Sequence, residues 1–456
     1  MHFRTTTRRG KENRGSEASR FLRLIVGREV PILVPMKVSL AYGDGYLDVE
    51  LPAGQTTVIT PVEQPGLPDE RGAFRTALNA PIRAGALRER VGRAESICIV
   101  FTDITRATPN ERIIPWLLDY LREAGVEREQ ITLLNALGTH RPNTREELSR
   151  MLTPEVLRDY RVLNHEPENP AALAQVGVTA SGVPALLNKH LMEADVRIVT
   201  GFIEPHFFAG FSGGPKGIMP GVAGMETVIS NHGRRHIGNP NAAFGITEGN
   251  PLWEEMRDIA LRAGPSFLIN VTLNERRAIT GIFAGDLIEA HRHGIEFVRK
   301  SAMQPVDDLF DIVVTTNSGY PLDQNLYQAV KGMSAGARIV RKGGAIIIAA
   351  ECRAGVPEGS PFDQLMRRAR DPEHILALIA HETYPEQWQS QIQALIQRKA
   401  RVYIHSSMTP EVIRSAHLLP APDISKLVEE LQAPHAQPLR IAALPQGPLT
   451  IPYLSQ

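Results

Sequence analysis

Two histidines enclose a glycine-rich stretch with a single lysine near the middle of the chain. The stretch runs from His206 to His232, reads HFFAGFSGGPKGIMPGVAGMETVISNH, and carries Lys216 in its loop. Imidazoles serve as general bases or metal ligands, and a lysine amine can bind phosphate or act as a nucleophile. These residue types predict a site that combines a base, an amine and a metal ligand beside a phosphate-bearing molecule.

The lysine loop differs from the phosphate-binding loop of nucleotide triphosphatases. Pro215 stands where that motif has its last glycine, and Gly217 stands where a serine or threonine would hold magnesium. A nucleotide triphosphatase site is therefore excluded. The loop glycines, among them Gly213 and Gly214, still allow positive φ angles and a close approach of the backbone to a ligand.

Two more polar loops follow apolar runs upstream of this stretch. The first holds Thr102, Asp103 and Arg106 between the run SICIVFTD and a predicted helix, a position that suits an anion or a ribose. The alternative there is an Asp–Arg pair that only orders the loop. The second loop, GTHRPN, holds Gly138 and His140 after the run QITLLNALG.

Spacing alone leaves the roles of the lysine and the second histidine open. Lys216 could bind a phosphate, form a salt bridge, or act as a nucleophile made reactive by burial or by a neighbouring cation. His232 falls at the inner edge of the apolar face of a predicted helix. It is therefore either a buried core histidine or a metal ligand that faces the cleft.

The elements around these loops predict an α/β fold. SICIVFTD, QITLLNALG and DVRIVTGF are short apolar runs typical of parallel strands buried on both faces. We expect capping boxes at Thr108 with Glu111 and at Thr144 with Glu147, each opening a helix. Because ligands of open α/β sheets bind at the carboxyl ends of the strands, the three loops are expected to share one site.

A second α/β series begins near residue 308. It contains the runs FDIVVTT, GAIIIAAE, RVYIHSS and LRIAAL, with helices around NLYQAVKGM and Trp388. The predicted fold class is α/β with two domains, each built on a mostly parallel sheet flanked by helices. The larger domain is predicted over 36–300 and the smaller over 301–435, with a tail over 436–456 that packs back on the N-terminal domain.

The start of the chain has a different character. Residues 1–35 are rich in arginine and are predicted to form a disordered basic extension. From Met36 the alternation of apolar and polar residues predicts a β-hairpin around Gly43-Asp44-Gly45.

Composition limits the class of partner. The chain has 50 basic and 50 acidic residues, so no global charge favours nucleic acid or an anionic membrane. No apolar run approaches the roughly 18 to 20 residues of a membrane span. The two cysteines are far apart, and Cys98 lies inside an apolar run, which predicts a buried thiol and a reducing, cytoplasmic setting. We expect a small-molecule partner.

Together these motifs resemble those of the nickel-pincer lactate racemase family, two-domain α/β racemases and epimerases of 2-hydroxyacids. The shared motifs are DxTR, GTHR, HxxAGxSGGxKxxxPG with a later histidine, YQxxK and a downstream tryptophan, and they extend from about Met36 to the C-terminus. The resemblance implies a cofactor bound by the N-terminal domain. That cofactor is a nickel-pincer nucleotide, pyridinium-3-thioamide-5-thiocarboxylic acid mononucleotide with Ni(II), and its assembly enzymes are implied as transient partners.

The resemblance also implies a role for each site residue and places the active site in the cleft between the domains. Lys216 would tether the cofactor covalently, and His232 would ligate nickel. His140 and His206 would be the paired general bases. The implied cofactor contacts are Thr102, Asp103, Arg106, Gly138, Gly213 and Gly214. The implied substrate contacts are Arg106, Tyr327, Gln328, Lys331 and Trp388.

Hydride transfer suits this set of residues. Removing the α-proton of a 2-hydroxyacid is unfavourable, because the adjacent carboxylate disfavours a carbanion. If a base takes the hydroxyl proton while hydride passes to a cofactor, a planar 2-keto acid forms that can turn and receive hydride on its other face. Inversion in both directions needs two bases, and the chain offers two. We therefore expect a racemase or epimerase of a lactate-like 2-hydroxyacid.

Two other functions stay open at this point. His140, His206 and His232 could form a zinc site for hydrolysis, with Glu204 as the base. The chain could instead be a non-catalytic family member that senses or stores a hydroxyacid. The motifs fix neither the side chain of the hydroxyacid nor the oligomeric state.

Overall fold

The structure is a computed structural model that describes residues 34–455. Two six-stranded sheets, each covered by helices, form its framework, together with four two-stranded ribbons. This arrangement confirms the predicted α/β fold class. The predicted basic extension over residues 1–35 lies outside the described residues except for its last two. None of the helices between residues 34 and 455 has the length and apolar character needed to cross a membrane.

The strands are, in chain order, β1 (Pro35–Tyr42), β2 (Gly45–Pro52), β3 (Thr56–Val58), β4 (Ile97–Thr102), β5 (Ile131–Ala136), β6 (Arg161–Asn164), β7 (Leu173–Val178), β8 (Pro184–Asn188), β9 (Val196–Phe202), β10 (Pro205–His206), β11 (Gly210–Phe211), β12 (Ser266–Leu273), β13 (Ile279–Asp286), β14 (Met303–Val306), β15 (Phe310–Thr316), β16 (Val340–Ala349), β17 (Arg401–His405), β18 (Leu419–Pro420), β19 (Ile441–Leu444) and β20 (Ile451–Leu454).

The helices are α1 (Glu70–Asn79), α2 (Leu87–Val91), α3 (Asn110–Glu123), α4 (Arg145–Leu152), α5 (Pro154–Asp159), α6 (Lys189–Glu193), α7 (Met225–Asn231), α8 (Arg234–Ile237), α9 (Pro251–Leu261), α10 (Glu289–Ala302), α11 (Leu326–Ala337), α12 (Pro361–Arg368), α13 (Pro372–His381), α14 (Gln387–Lys399), α15 (Pro410–Ser415) and α16 (Ile424–Gln432).

The first sheet has the strand order β13-β12-β9-β4-β5-β6. Its strands run parallel except for β13, which pairs antiparallel with β12. The three predicted strands SICIVFTD, QITLLNALG and DVRIVTGF are β4, β5 and β9, which are neighbours in this sheet. Their carboxyl ends therefore meet at one edge, and the three polar loops begin there.

One predicted capping box forms and the other does not. Thr144 caps α4, and its side chain accepts a hydrogen bond from Glu147 N. The Glu147 side chain in turn accepts one from Thr144 N. The prediction of a cap at Thr108 is wrong, because α3 begins at Asn110 after Pro109. The Thr108 hydroxyl has no hydrogen-bond partner among the described residues. The Asn110 amide instead donates to the Thr102 carbonyl over 2.9 Å and ties the helix to the end of β4.

The second sheet has the order β18-β17-β16-β15-β19-β3, and its strand pairs are parallel. It contains the predicted runs FDIVVTT, GAIIIAAE, RVYIHSS and LRIAAL. The β1–β2 hairpin forms around Gly43 and Asp44 as predicted. Its buried side chains, such as Leu40 and Leu51, pack against this sheet, in one cluster with Val314 and Ile347.

The packing departs from the predicted division into domains at both ends. β3 belongs to the stretch assigned to the N-terminal domain, yet it pairs with β19 of the second sheet. The first part of the predicted tail over 436–456 supplies β19, whose residues are buried between β15 and β3. The physical reason is that IAAL is apolar on both faces, so it is stable only inside a sheet. The later part of the tail, over Gly447–Leu449, contacts β10 of the N-terminal domain.

Replacing an internal residue of this C-terminal strand should destabilise the second sheet. Ile441 of β19 is 0% exposed, and Leu454 of β20 is 47% exposed. We expect Ile441→Ala to lower the free energy of unfolding by about 2–5 kcal/mol, and Leu454→Ala to change it by less than about 0.5 kcal/mol. Urea unfolding followed by circular dichroism measures both. Equal effects of the two substitutions would contradict an internal β19.

Candidate active site

A cavity at the carboxyl edge of the first sheet opens toward the second domain. It contains all of the residues predicted for the site, namely Thr102, Asp103, Arg106, Gly138, His140, His206, Gly213, Gly214, Lys216, His232, Tyr327, Gln328, Lys331 and Trp388. The loops after β4, β5 and β9 supply the N-terminal members. Helices α11 and α14 supply those from the second domain. The structure thus brings together groups that lie up to 286 positions apart in the chain, from Thr102 to Trp388.

His140 is held by a buried carboxylate. Its Nδ1 lies 2.5 Å from Oδ2 of Asp103, a residue that is only 2% exposed. Burial raises the pKa of the Asp103 carboxyl, but the charge and hydrogen bond of His140, with help from Arg106, outweigh burial and lower that pKa overall. The carboxylate is therefore ionised and can only accept, so Nδ1 of His140 donates to it. The other ring nitrogen, Nε2, is left free to take up a proton.

His206 has a much more enclosed environment. It lies in the short ribbon β10–β11 and is 7% exposed. The rings of Phe207 and Phe208 pack against it, with centroids 5.0 and 4.5 Å away. Burial, followed by the charges of the site cations, holds the pKa of His206 well below its usual range. Its imidazole is therefore neutral at pH 7. The backbone N–H of Ala209 donates to Nδ1 over 3.3 Å, a long contact that fixes the tautomer only weakly.

Lys216 carries an unusually acidic ammonium group. It lies in the 3-10 helix Gly214–Gly217, and its Nζ is 5.5 Å from the centre of the Phe208 ring. Burial, together with the charges of Arg106 and Lys331, lowers its pKa to about 7. A large fraction of the amine is therefore uncharged at neutral pH. An uncharged lysine amine is a nucleophile, so the structure supports that reading of Lys216 over a permanent salt bridge.

The loop glycines adopt the positive φ angles expected for them, +78° at Gly213 and +55° at Gly214. A side chain on either one would collide with protein atoms: with Asn270 at the first and with the ring of His291 at the second. Glycine is thus required at both positions, because buried polar side chains lie too close to the loop backbone to leave room for a Cβ atom. This differs from the expectation that the glycines make room for a ligand.

Two residues that the sequence analysis missed hold this loop in place. The Asn270 side-chain oxygen accepts a hydrogen bond from Gly214 N over 2.7 Å, and Nε2 of His291 lies 2.8 Å from the Ser212 carbonyl. Each of the two is only 1% exposed. The signal available in the sequence was a polar residue inside an apolar run, since Asn270 lies within SFLINVTL of β12.

His232 presents a buried imidazole nitrogen that lacks a partner. The residue follows the last residue of α7 and is 4% exposed, with Phe208 and Trp388 edge-to-face around its ring. Its Nδ1 has no hydrogen-bond partner among residues 34–455. Burial and then the charge of Lys216 lower its pKa to about 3. The ring is therefore neutral, and its lone pair is available to a metal ion.

The second domain contributes one face of a helix and one aromatic wall. Tyr327, Gln328 and Lys331 lie in the first turns of α11, which Asn325 caps by accepting from Gln328 N over 3.0 Å. Trp388 Nε1 donates to the Tyr327 hydroxyl over 3.0 Å. Burial, followed by the charge of Arg106, lowers the pKa of Lys331 to about 8, so this lysine remains mostly protonated at pH 7.

Arg106 and Lys331 face the same cavity from opposite domains. Two cations on opposite walls suit a carboxylate or phosphate held between them. The two histidines, by contrast, each offer a nitrogen for proton transfer. The cavity can therefore hold an anion between the domains and exchange protons with it.

The three histidines do not form the zinc site considered above. Among residues 34–455 no group of three or more His, Cys, Asp or Glu side chains is arranged to hold a metal ion. His140 instead pairs with Asp103, and His206 and His232 are separated by Phe208, whose ring contacts both. A hydrolase that depends on a three-histidine zinc centre is thus inconsistent with the geometry.

Comparisons with known proteins agree with the motifs. Residues 42–245 match the family model described as the lactate racemase N-terminal domain, and residues 307–451 match the lactate racemase C-terminal domain. The lactate racemase of Thermoanaerobacterium thermosaccharolyticum is 35% identical over 384 residues, which is 83% of this chain and 89% of that protein. The lactate racemase of Lactiplantibacillus plantarum is 35% identical over 383 residues, 83% of this chain and 90% of that protein.

Comparison with solved structures agrees with these sequence matches. The lactate racemase apoprotein from Thermoanaerobacterium thermosaccharolyticum superposes with a TM-score of 0.86 at 32% identity, covering 92% of this chain and 100% of that one. A Thermotoga maritima protein from a structural genomics consortium superposes with a TM-score of 0.67 at 20% identity, covering 86% and 100%. The second likeness shows the fold alone.

The perturbed lysine makes a prediction that does not depend on any ligand. Because the pKa of Lys216 is about 7, its reaction with a small acylating reagent should reach half its maximal rate near pH 7. Below that pH the amine is protonated and unreactive, and above it the amine is uncharged and reactive. Arg106→Gln should move this midpoint to higher pH, because it removes a nearby positive charge. Peptide mass spectrometry measures the rate at each lysine, with exposed Lys37 as the control. A Lys216 midpoint equal to that of Lys37 would disprove the effect of burial.

Proposed function

The chain belongs to the lactate racemase family and is an isomerase, and we propose that it interconverts the enantiomers of a small, lactate-like 2-hydroxyacid. The observation that carries this proposal is the convergence of two proton-accepting histidines and two carboxylate-binding cations in one cavity. His140 and His206 supply the bases, and Arg106 and Lys331 supply the charges. The curated relatives, both lactate racemases, support lactate as the first substrate to test.

We also propose that the cavity binds the nickel-pincer nucleotide. Two observations indicate that the residues fit this group. Lys216 has a pKa of about 7 and so offers the uncharged amine that a thioamide tether requires. His232 offers a neutral imidazole whose Nδ1 lacks a partner among the described residues, and nitrogen of this kind suits Ni(II) beside sulfur ligands. When bound, the cofactor would accept a hydride from the substrate carbon and return it.

The protein's own part in the reaction begins with proton transfer. His140 takes the hydroxyl proton at Nε2 while Asp103 accepts the hydrogen bond from Nδ1. The ionised Asp103 stabilises the imidazolium that results, as an orienting carboxylate does for other catalytic histidines. His206 performs the same transfer for the other enantiomer.

Substrate binding itself activates the second base. The pKa of His206 is held low by burial and by the cations Lys216, Lys331 and Arg106. A substrate carboxylate between Arg106 and Lys331 brings a negative charge that offsets these cations. It therefore raises the basicity of His206 at the moment a proton must be accepted. The same two cations would hold the planar keto acid while it turns.

The remaining residues complete the enclosure. Tyr327 and Trp388 are joined by a hydrogen bond and form a wall on the side of the second domain. Thr102, Gly138 and Gly213 line the floor on the side of the first sheet, where the nucleotide part of the cofactor would lie. An enclosed site between two domains keeps the keto acid from escaping. A non-catalytic hydroxyacid-binding role is disfavoured, because storage requires neither base.

Cellular context follows from the same proposal. Cys98 and Cys352 are buried free thiols, and burial raises the pKa of Cys98 to about 12. Unpaired cysteines fit a reducing compartment, so we propose a cytoplasmic enzyme. Loading of the cofactor requires the cofactor-assembly enzymes as transient partners.

The tether can be tested by mass spectrometry. Wild-type protein produced together with the cofactor-assembly enzymes should carry a covalent adduct on Lys216 and bind nickel. Lys216→Ala should lose the adduct. Lys331→Ala, the matched control, should keep the adduct but require a much higher substrate concentration. Wild-type protein without adduct and nickel would refute the proposed cofactor.

The two bases can be tested by substitution. We expect His140→Asn and His206→Asn each to lower kcat by about 10²–10⁴-fold, because each removes a positioned base. Both variants should keep the Lys216 adduct, which separates loss of the base from loss of the cofactor. A polarimetric assay of loaded protein against a panel of 2-hydroxyacids measures the rates. If either variant retained more than about a tenth of the wild-type rate, the two-base reaction would be wrong.

A further inference from the structure

A carboxylic acid next to the enclosed base has no role in the reaction described so far. Glu204 lies two residues before His206, and side chains at i and i+2 of an extended segment point to the same face. Its backbone is fixed by Ser212, whose N–H donates to the Glu204 carbonyl and whose hydroxyl accepts from Glu204 N, both over 2.9 Å. The Glu204 side chain is partly buried.

A small cavity is lined by both Glu204 and His206. Its volume is about 20 Å³, and its polar lining residues are Glu204, His206, Asn317 and Lys331. A water molecule needs at least about 10–15 Å³ of such space and two to four polar partners. The cavity thus has room for one water molecule that can bridge His206 and Glu204.

Glu204 also lines a second, larger cavity. It lies between the two domains, has a volume of about 500 Å³, and contains Glu204 together with Thr272 of the first sheet and Ser318 of the second domain. Tyr46 and Tyr320, which also line it, are 70% and 48% exposed, so the cavity reaches solvent. Glu204 is therefore shared by the small cavity that His206 lines and the larger cavity that reaches solvent.

The proposed reaction requires a connection between His206 and solvent, because its protons must balance over each turnover. This requirement rests on the proposed function. When His206 takes the hydroxyl proton and protonated His140 returns one to the product, the enzyme ends with its two bases in exchanged protonation states. Before the next turnover in the same direction, His206 must lose a proton and His140 must gain one. The His140 side chain is 29% exposed and lines an outer groove with Arg141 and Glu166. His206 is only 7% exposed.

We propose that Glu204 and one bridging water molecule form the proton path between His206 and the solvent. The imidazolium of His206 gives its proton to the water, which passes one of its own protons to the Glu204 carboxylate. The carboxyl then releases that proton into the larger cavity. One proton leaves His206, one reaches solvent, and both the water and Glu204 return to their starting states.

The charges around Glu204 agree with this role. Burial raises the pKa of the Glu204 carboxyl, although Lys331, Arg106 and Lys216 oppose the increase. The group therefore takes up a proton more readily than an exposed glutamate does.

The experiment compares variants of the nickel-loaded enzyme. Glu204→Gln should lower kcat roughly tenfold or more and leave kcat/KM within about twofold, because proton return follows product release. Its solvent deuterium isotope effect on kcat should exceed that of wild type. Glu204→Asp keeps a carboxyl and should fall between the two. Glu275→Gln, which replaces an exposed carboxylate at the rim of the larger cavity, should match wild type.

Two results would overturn the proton path while the racemase proposal stands. Equal losses in kcat and kcat/KM would make Glu204 a residue that shapes the site, and an unchanged kcat would show that His206 exchanges protons by another route. A wild-type enzyme inactive on every 2-hydroxyacid would instead overturn the proposed function. An infrared carboxyl band that titrates in wild type and is missing from Glu204→Gln is expected whatever the activity. Absence of that band from wild type would by itself refute proton uptake by Glu204.

Discussion

The structure depends on the convergence of three cationic side chains in one cavity. Arg106, Lys216 and Lys331 come from three separate elements, and their mutual repulsion adds to the loss of hydration, which lowers the pKa to about 7 at Lys216 and about 8 at Lys331. Two carboxyl groups, Asp103 and Glu204, offset only part of this charge. The charge of these side chains therefore favours an anionic ligand in the cavity. At His206 and His232 burial lowers the pKa most, and the charge of Lys216 lowers it further.

Two domains are required to produce this arrangement. Parallel strands end at one edge of a sheet, so the first sheet can place the loop after β4 beside the loops after β5 and β9. It cannot surround a ligand by itself. Lys331 and Trp388 come from helices α11 and α14 of the second domain and close the other side. The β1–β2 hairpin and β19 pack on the second sheet, so both ends of the described chain stabilise the domain that closes the site.

The sequence was sufficient for the parts of the structure that depend on local pattern. Apolar runs ending in polar loops predicted β4, β5 and β9 and the three loops that meet at the cavity. It was insufficient where partners are distant in the chain. Nothing in residues 56–58 indicates pairing with β19, because strand pairing depends on side-chain contacts across the sheet. Asn270 and His291 were missed for the same reason, since their contacts with the glycine loop exist only after folding. The cap at Thr108 did not form because the helix begins one residue later than the motif predicts, with Pro109 at the cap position.

An asymmetric chain must serve two mirror-related substrates, and the two bases reflect this. His140 is partly exposed and paired with an ionised carboxylate, whereas His206 is enclosed by aromatic rings near three cations. Because the equilibrium constant between enantiomers is one, kcat/KM must be equal in the two directions, so these unequal environments can make only the separate kcat and KM values differ between directions. His140 has Asp103 to stabilise its charged form. His206 has no such carboxylate partner among residues 34–455, so in the proposed reaction it would depend on the charge of a bound carboxylate to become basic and on a route to solvent to become neutral again. The two histidines would therefore gain and lose the proton of the reaction by different means.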